Sequence, residues 1–249
     1  MQRVTFSRNY TLSLSRTCRC VCRYCSFATR KAHLYAPDEV EERLEQAVRR
    51  NAKELLILTG ERPEVNAVLA ARLDSYGHED FVGYVVWACE RALERGLLPH
   101  TNLGVLDRED LARLREVTAS QGLMLESVRP DLVVHQGSPT KHPDLRLATI
   151  RAAGELRIPV TIGILVGIVE TPADRVAALE ALAAVHGEYG HLQEVILQNY
   201  VPHPKYYGRE VAEIAADAAS VRWSQGGQPA TDPTAADVKR STRAEPLPE

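Results

Sequence analysis

Six short β-rich runs, each followed by an amphipathic helical stretch, constrain this chain more than any other feature. The runs at 10–15, 54–59, 98–103, 122–127, 158–166 and 194–198 read as strands. Helical patterns lie at 37–50, 64–73, 79–95, 108–120, 144–156 and 171–186. Strand-then-helix repeats build parallel βαβ units with right-handed crossovers. The near-continuous apolar run 158–166 fits a parallel strand covered on both faces. The expected fold is therefore α/β, a parallel (β/α) barrel or its open six-stranded form, occupying residues 1–204. In such folds the chemistry sits on the loops that follow the strands. The stretch 206–220 reads as one more alanine-rich helix. From residue 224 onward large apolar side chains are almost absent, a composition expected to be disordered, so 205–249 is set apart as a divergent tail.

Composition narrows the function. The 249 residues are 45% hydrophobic with a net charge of −3, which suits one soluble domain with a substantial core. A nucleic-acid binder would show a basic surplus, so no nucleic-acid partner is expected. Residues 1–10 are polar and carry two arginines, unlike a secretory leader. The longest apolar stretch, 158–169, is too short for a membrane span. The expected setting is the reducing cytoplasm, with no membrane contact.

The loop after the first strand carries the chemistry. Cys18, Cys22 and Cys25 form a C-x3-C-x2-C run, and thiolates are the usual ligands of iron–sulfur clusters. Three of them would hold three irons of a 4Fe-4S cube and leave the fourth open to a chelating ligand such as S-adenosylmethionine. A structural zinc site is the rival reading, with Cys22-x2-Cys25 as half of it and Cys20 or His33 completing it. No second C-x2-C or H-x3-H follows, and Cys89 stands alone on a helical stretch. A disulfide staple fits less well, because five cysteines is an odd count and nothing suggests secretion. Cys20 reads as a bystander, since using it breaks the spacing.

This spacing, with Tyr24 just before the last cysteine, resembles the signature of the radical SAM superfamily. Further segments extend the match: LLILTGERPE (55–64), LPHTNLGVL (98–106), GLMLE (122–126), GILVGIVETP (163–172) and QNYVPHP (198–204). With ASQGLMLES, SPTKHPDLR and EVILQNY in this order, residues 5–204 resemble the radical SAM subunits of 7,8-didemethyl-8-hydroxy-5-deazariboflavin (FO) synthases. The resemblance implies a 4Fe-4S cluster and S-adenosylmethionine as cofactors. It also implies a lyase in coenzyme F(420) biosynthesis. Its small-molecule substrate would be a hydroxybenzyl–ribitylaminouracil adduct made by a partner radical SAM protein. Ring closure would release ammonia, and an electron donor such as ferredoxin or flavodoxin would be needed.

Site residues follow position by position. The resemblance places Gly60 and Glu61 at the methionyl amino group, and Gly163, Gly167 and Glu170 against adenine. Asn102 and Glu126 become candidates for ribose and methionine-carboxylate contacts, although each would equally satisfy a loop backbone. Tyr24 is expected beside the cluster and adenine. Lys141 and His142 are candidates for substrate contact, or for a plain helix entry. His33, His78 and His186 read as structural or surface residues, and no catalytic side chain is assigned. The family's barrel continues into two further βα units where this chain has 205–249. An apolar flank along the sixth strand is therefore expected at an open edge.

Overall fold

The computed structural model describes residues 7–29 and 31–201. Its strands are β1 (Asn9–Ser15), β2 (Glu54–Thr59), β3 (Leu98–Asn102), β4 (Ser120–Glu126), β5 (Val160–Val166) and β6 (Leu192–Asn199). Its helices are α1 (Pro37–Arg49), α2 (Ala67–Ser75), α3 (Phe81–Leu93), α4 (Arg108–Arg115), α5 (Pro143–Glu155) and α6 (Pro172–Tyr189). All six strands join one sheet in sequence order, and every pair is parallel. This is the expected six-stranded α/β arc, with five βα units and a sixth strand among the described residues.

Period-two burial explains the layering. Leu12 and Leu14 of β1, Leu55 and Ile57 of β2, and Leu123 and Leu125 of β4 turn toward the helices and are buried. They join Val40, Leu44, Leu69, Leu73, Val85, Leu111, Leu114, Ile150 and Leu182 in one core. Alternate residues such as Leu56, Leu58, His100, Asn102 and Met124 are half-buried on the opposite face. That inner face leads to the C-terminal strand ends.

Helix entries are capped by side chains the sequence places just ahead of them. Asp80 accepts from Gly83 N at 2.6 Å to start α3, and Asp107 accepts from Asp110 N at 2.9 Å to start α4. Thr171 and Asp174 cap α6 reciprocally, and Gly190, at φ 67°, ends it.

Some boundaries differ from the sequence expectation. The helix read as 108–120 stops at Arg115, and β4 starts at Ser120 rather than Gly122. The Thr118 hydroxyl donates to Ser120 O at 2.8 Å and lies 3.1 Å from Pro99 O, while Ala119 N donates to Pro99 O at 2.8 Å. These bonds draw the chain into the sheet early. The helix read from 64 is first a single 3-10 turn, Pro63–Val65, after which Asn66 caps α2. Along β6, Val195 and Leu197 are exposed, as expected for an apolar flank at an edge. The expected helix at 206–220 and the tail lie outside the described residues.

Asp80 also pairs with Arg113 of α4 at 2.7 Å, so one carboxylate caps α3 and ties it to α4. Asp80→Ala should lower unfolding stability by about 1–2 kcal/mol, the usual loss for a cap. Urea denaturation of the two chains checks this.

Candidate functional site

The loop from Arg16 to Leu34 has little regular structure, so its backbone groups must find partners elsewhere. Its two ends close on each other. Thr29 N donates to Arg16 O at 2.9 Å, the Thr17 hydroxyl donates to Lys31 O at 3.0 Å, and Arg16 N donates to His33 Nδ1 at 3.2 Å. Its middle rests on two neighbouring loops. Arg19 N donates to Glu61 O at 2.9 Å, Arg23 N to Val134 O at 3.0 Å, and Val21 N to the hydroxyl of buried Ser138 at 2.8 Å. Gly60 permits the closest approach, because a Cβ there would lie 2.1 Å from Thr17 O.

The sulfurs are set in this frame. Cys18 Sγ accepts from Glu61 N at 3.2 Å and Cys20 N at 3.4 Å, and Cys25 Sγ accepts from Ala28 N at 3.4 Å. The thiol of buried Cys22 donates to Ser138 Oγ at 3.5 Å. A hydrogen bond from the Cys20 thiol holds Cys18 below the usual thiol range, despite its partial burial. Cys20 lies closer to the other sulfurs than its bystander role suggests. The neighbouring Cys18 thiol and burial push Cys20 up, and its sulfur sits 3.0 Å from Thr140 Oγ1. Among the described residues, no three His, Cys, Asp or Glu side chains surround a single metal point. A cube makes no such demand, since each thiolate binds a different iron. N–H donors aimed at Cys18 and Cys25 are the surroundings that ligating thiolates need. The donor set fits a three-thiolate cluster.

Beyond β4 the polar loop VVHQGSPTKHP forms the second wall. Glu126 is buried with φ 66°, and its Oε1 accepts from Lys141 Nζ at 2.7 Å and from the Tyr24 hydroxyl at 3.1 Å. Burial pushes this carboxyl up, but Lys141 and Arg146 together bring it below its ordinary value. His135 Nε2 lies 3.1 Å from the Tyr24 oxygen. Since that hydroxyl donates to Glu126, we assign the ring proton to Nε2, leaving buried Nδ1 without a partner. Burial, with Lys141 nearby, lowers His135 to about 4. His142 turns away to the α5 entry, where Asp144 N donates to its Nδ1 at 3.3 Å.

The other expected site residues take distinct places. The buried Glu61 carboxylate accepts from Arg19 Nε at 2.9 Å and Val105 N at 3.0 Å. Asn102 is half-buried on the inner face across from Gly122. A Cβ on Gly163 would meet Ile196 O at 2.3 Å, so strand packing already requires that glycine. Gly167, at φ 96°, and Ile168 donate their N–H groups to Glu170 at 2.7–3.0 Å, and Arg175 Nε adds a bond at 2.7 Å. Glu170 therefore shapes the loop after β5 with both carboxylate oxygens engaged. Tyr24, Glu126 and the cysteine loop are brought together directly. His135, Ser138, Thr140 and Arg19 went unread in the sequence, because their partners there lie 42 to 120 residues away. Only the run of polar residues at 135–142 hinted at them.

A parallel arc with a C-x3-C-x2-C run on the loop after its first strand is the arrangement of a radical SAM enzyme. Residues 12–182 match the Radical SAM superfamily, and the chain belongs to it. The cofactors of that family are a 4Fe-4S cluster and S-adenosylmethionine. The chain is 44% identical over 205 residues to a 7,8-didemethyl-8-hydroxy-5-deazariboflavin synthase of Methanosarcina mazei, covering 81% of this chain and 61% of that one. It is 46% identical over 201 residues to the synthase of the same name from Methanosphaerula palustris, covering 80% and 61%. The chain thus spans about three fifths of the length of these curated relatives. Among solved structures, methylornithine synthase (PylB) superposes with a TM-score of 0.60 at 18% identity, covering 81% of this chain and 56% of that one. That likeness concerns the fold.

Acid should loosen this wall. His135 is neutral in the folded chain down to about pH 4, whereas an unfolded histidine takes a proton near pH 6.5. The unfolded state therefore binds more protons between those values, and stability falls as pH drops from about 6.5 to about 4. Urea midpoints measured across this range should fall less steeply in His135→Gln than in the native chain.

Proposed function

We propose that this chain is the ring-closing radical SAM subunit of an FO synthase, a carbon–nitrogen lyase. The observation that carries the reading is the 44% identity over 205 residues to a synthase of that name. Its substrate is a hydroxybenzyl–ribitylaminouracil adduct made by a partner radical SAM protein, and the product enters coenzyme F(420) biosynthesis. A low-potential donor of the ferredoxin or flavodoxin class supplies the electron. The setting is cytoplasmic, in keeping with the finding that no helix among the described residues is long and apolar enough to cross a membrane.

Cys18, Cys22 and Cys25 hold the cluster. When bound, it supplies one electron that cleaves S-adenosylmethionine to a 5'-deoxyadenosyl radical. The protein's contribution is positioning and exclusion of water. Gly60 and Glu61 lie beside Cys18 and take the methionyl end. Because Arg19 and Val105 already occupy the Glu61 carboxylate, backbone carbonyls at that strand end accept from the ammonium. Asn102 and Glu126 line the ribose and carboxylate side, with Lys141 balancing the Glu126 charge. Tyr24, held by Glu126, would pack beside the cluster and adenine. The end of β5 from Gly163 and the loop after it, held in shape by Glu170, meet adenine with their backbone.

Anaerobic reconstitution should load about four irons and matching sulfide per chain. Cys18→Ala, Cys22→Ala and Cys25→Ala should each lose the cluster, whereas Cys20→Ala and Cys89→Ala should keep it. The loaded chain should cleave S-adenosylmethionine and form FO from the adduct. Zinc without sulfide would end the cluster reading. Cleavage without FO would place the chain elsewhere in the superfamily.

A further inference from the structure

The three ligand sulfurs are not served alike. Cys18 and Cys25 receive backbone N–H groups, which remain whatever side chain other than proline stands there. Cys22 instead meets the hydroxyl of a side chain, Ser138, 116 residues away. Ser138 is buried, and its oxygen already accepts from Val21 N at 2.8 Å. A hydroxyl carries one donor and two acceptor positions, so its own proton remains available. With its thiol protonated, Cys22 donates to Ser138 at 3.5 Å. Ligation takes that thiol proton away, and the direction of the bond then reverses. The hydroxyl donates to the sulfur.

We propose that Ser138 is a positioning and tuning residue for the cluster, fixing the loop through Val21 and donating its hydroxyl proton to the Cys22 sulfur. The inference rests on the reading of Cys22 as a cluster ligand. One-electron reduction adds negative charge that spreads onto the ligand sulfurs. A donor to one of them stabilises the reduced state more than the oxidised state, and hydrogen bonds to sulfur are a recognised lever on cluster potential. Ser138 therefore makes the cluster easier to reduce, the step on which cleavage of S-adenosylmethionine depends. Thr140, next but one in the chain, directs its hydroxyl to Cys20 instead and serves as the internal contrast.

The test is an EPR-monitored redox titration of chains loaded anaerobically, with iron and sulfide counted first. Ser138→Ala should lower the equilibrium constant for one-electron reduction about tenfold, which is about 59 mV in midpoint. Ser138→Thr should restore the native midpoint, and Thr140→Val should leave it unchanged. Should alanine prevent loading, Ser138→Val is titrated in its place, since it matches threonine in shape and lacks only the hydroxyl. A fully loaded alanine or valine chain with the midpoint of the threonine chain overturns the proposal. Absence of a cluster from the native chain is a different failure, that of the ligand assignment itself.

Discussion

An irregular loop inside a protein must place every backbone N–H, and this requirement governs how the molecule is arranged around its cysteines. A buried donor left without a partner costs about 1–3 kcal/mol, so the stretch after β1 cannot stand alone. Arg19, Val21 and Arg23 send alternate N–H groups to Glu61, Ser138 and Val134, which follow β2 and β4. The cysteine loop is thus pinned from both sides by loops that only the parallel sheet brings together. The βα repeat and the cysteine motif are, in this sense, one structural fact. Each sulfur takes its place because the strand ends lie side by side.

Charge is handled at the same strand ends with equal economy. Three buried carboxylates sit there, and each has a cation beside it: Glu61 with Arg19, Glu126 with Lys141, and Glu170 with Arg175. Buried pairs of this kind contribute little net stability, because desolvation offsets most of the attraction. What they do provide here is geometry. Glu61 joins the cysteine loop to the loop after β3 through Val105, and Glu126 joins β4 to Tyr24 and Lys141. Glu170 organises its own loop. Each of these strand ends thus buries one carboxylate with one cation beside it rather than a lone charge.

Much of this was readable from the residues. Alternation of apolar positions gave six strands in order, and Pro37, Asp107 and Thr171 marked helix starts within about a residue of where they fall. The cysteine spacing identified the loop. Unreadable were contacts made across the sheet, such as Val21 with Ser138 or Tyr24 with His135, because no local pattern encodes a partner more than 100 residues away. The end of α4 was misread for a related reason: the Thr118 hydroxyl and Ala119 N reach Pro99 of the neighbouring strand, overriding a local helical pattern. Glu170 was read toward a ligand, whereas its carboxylate is consumed by the backbone two and three residues earlier.

Backbone strain links these threads. Glu126 holds φ 66° and Val169 holds φ 75°, left-handed values that non-glycine residues adopt at a cost of about 1–3 kcal/mol each. Val169 is β-branched, which makes its case the more severe. Glu126 ends β4, Val169 stands on the loop that follows the adjacent β5, and each is held by contacts already named. Lys141 and Tyr24 fix the side chain of Glu126, while Glu170, gripping the N–H groups of Gly167 and Ile168, fixes the turn that carries Val169. Releasing either set of contacts would let its residue relax toward the ordinary β region and swing the loop. The bonds that hold the strained turns are the bonds that set the two strand ends, so local stability and loop geometry cannot be varied independently there.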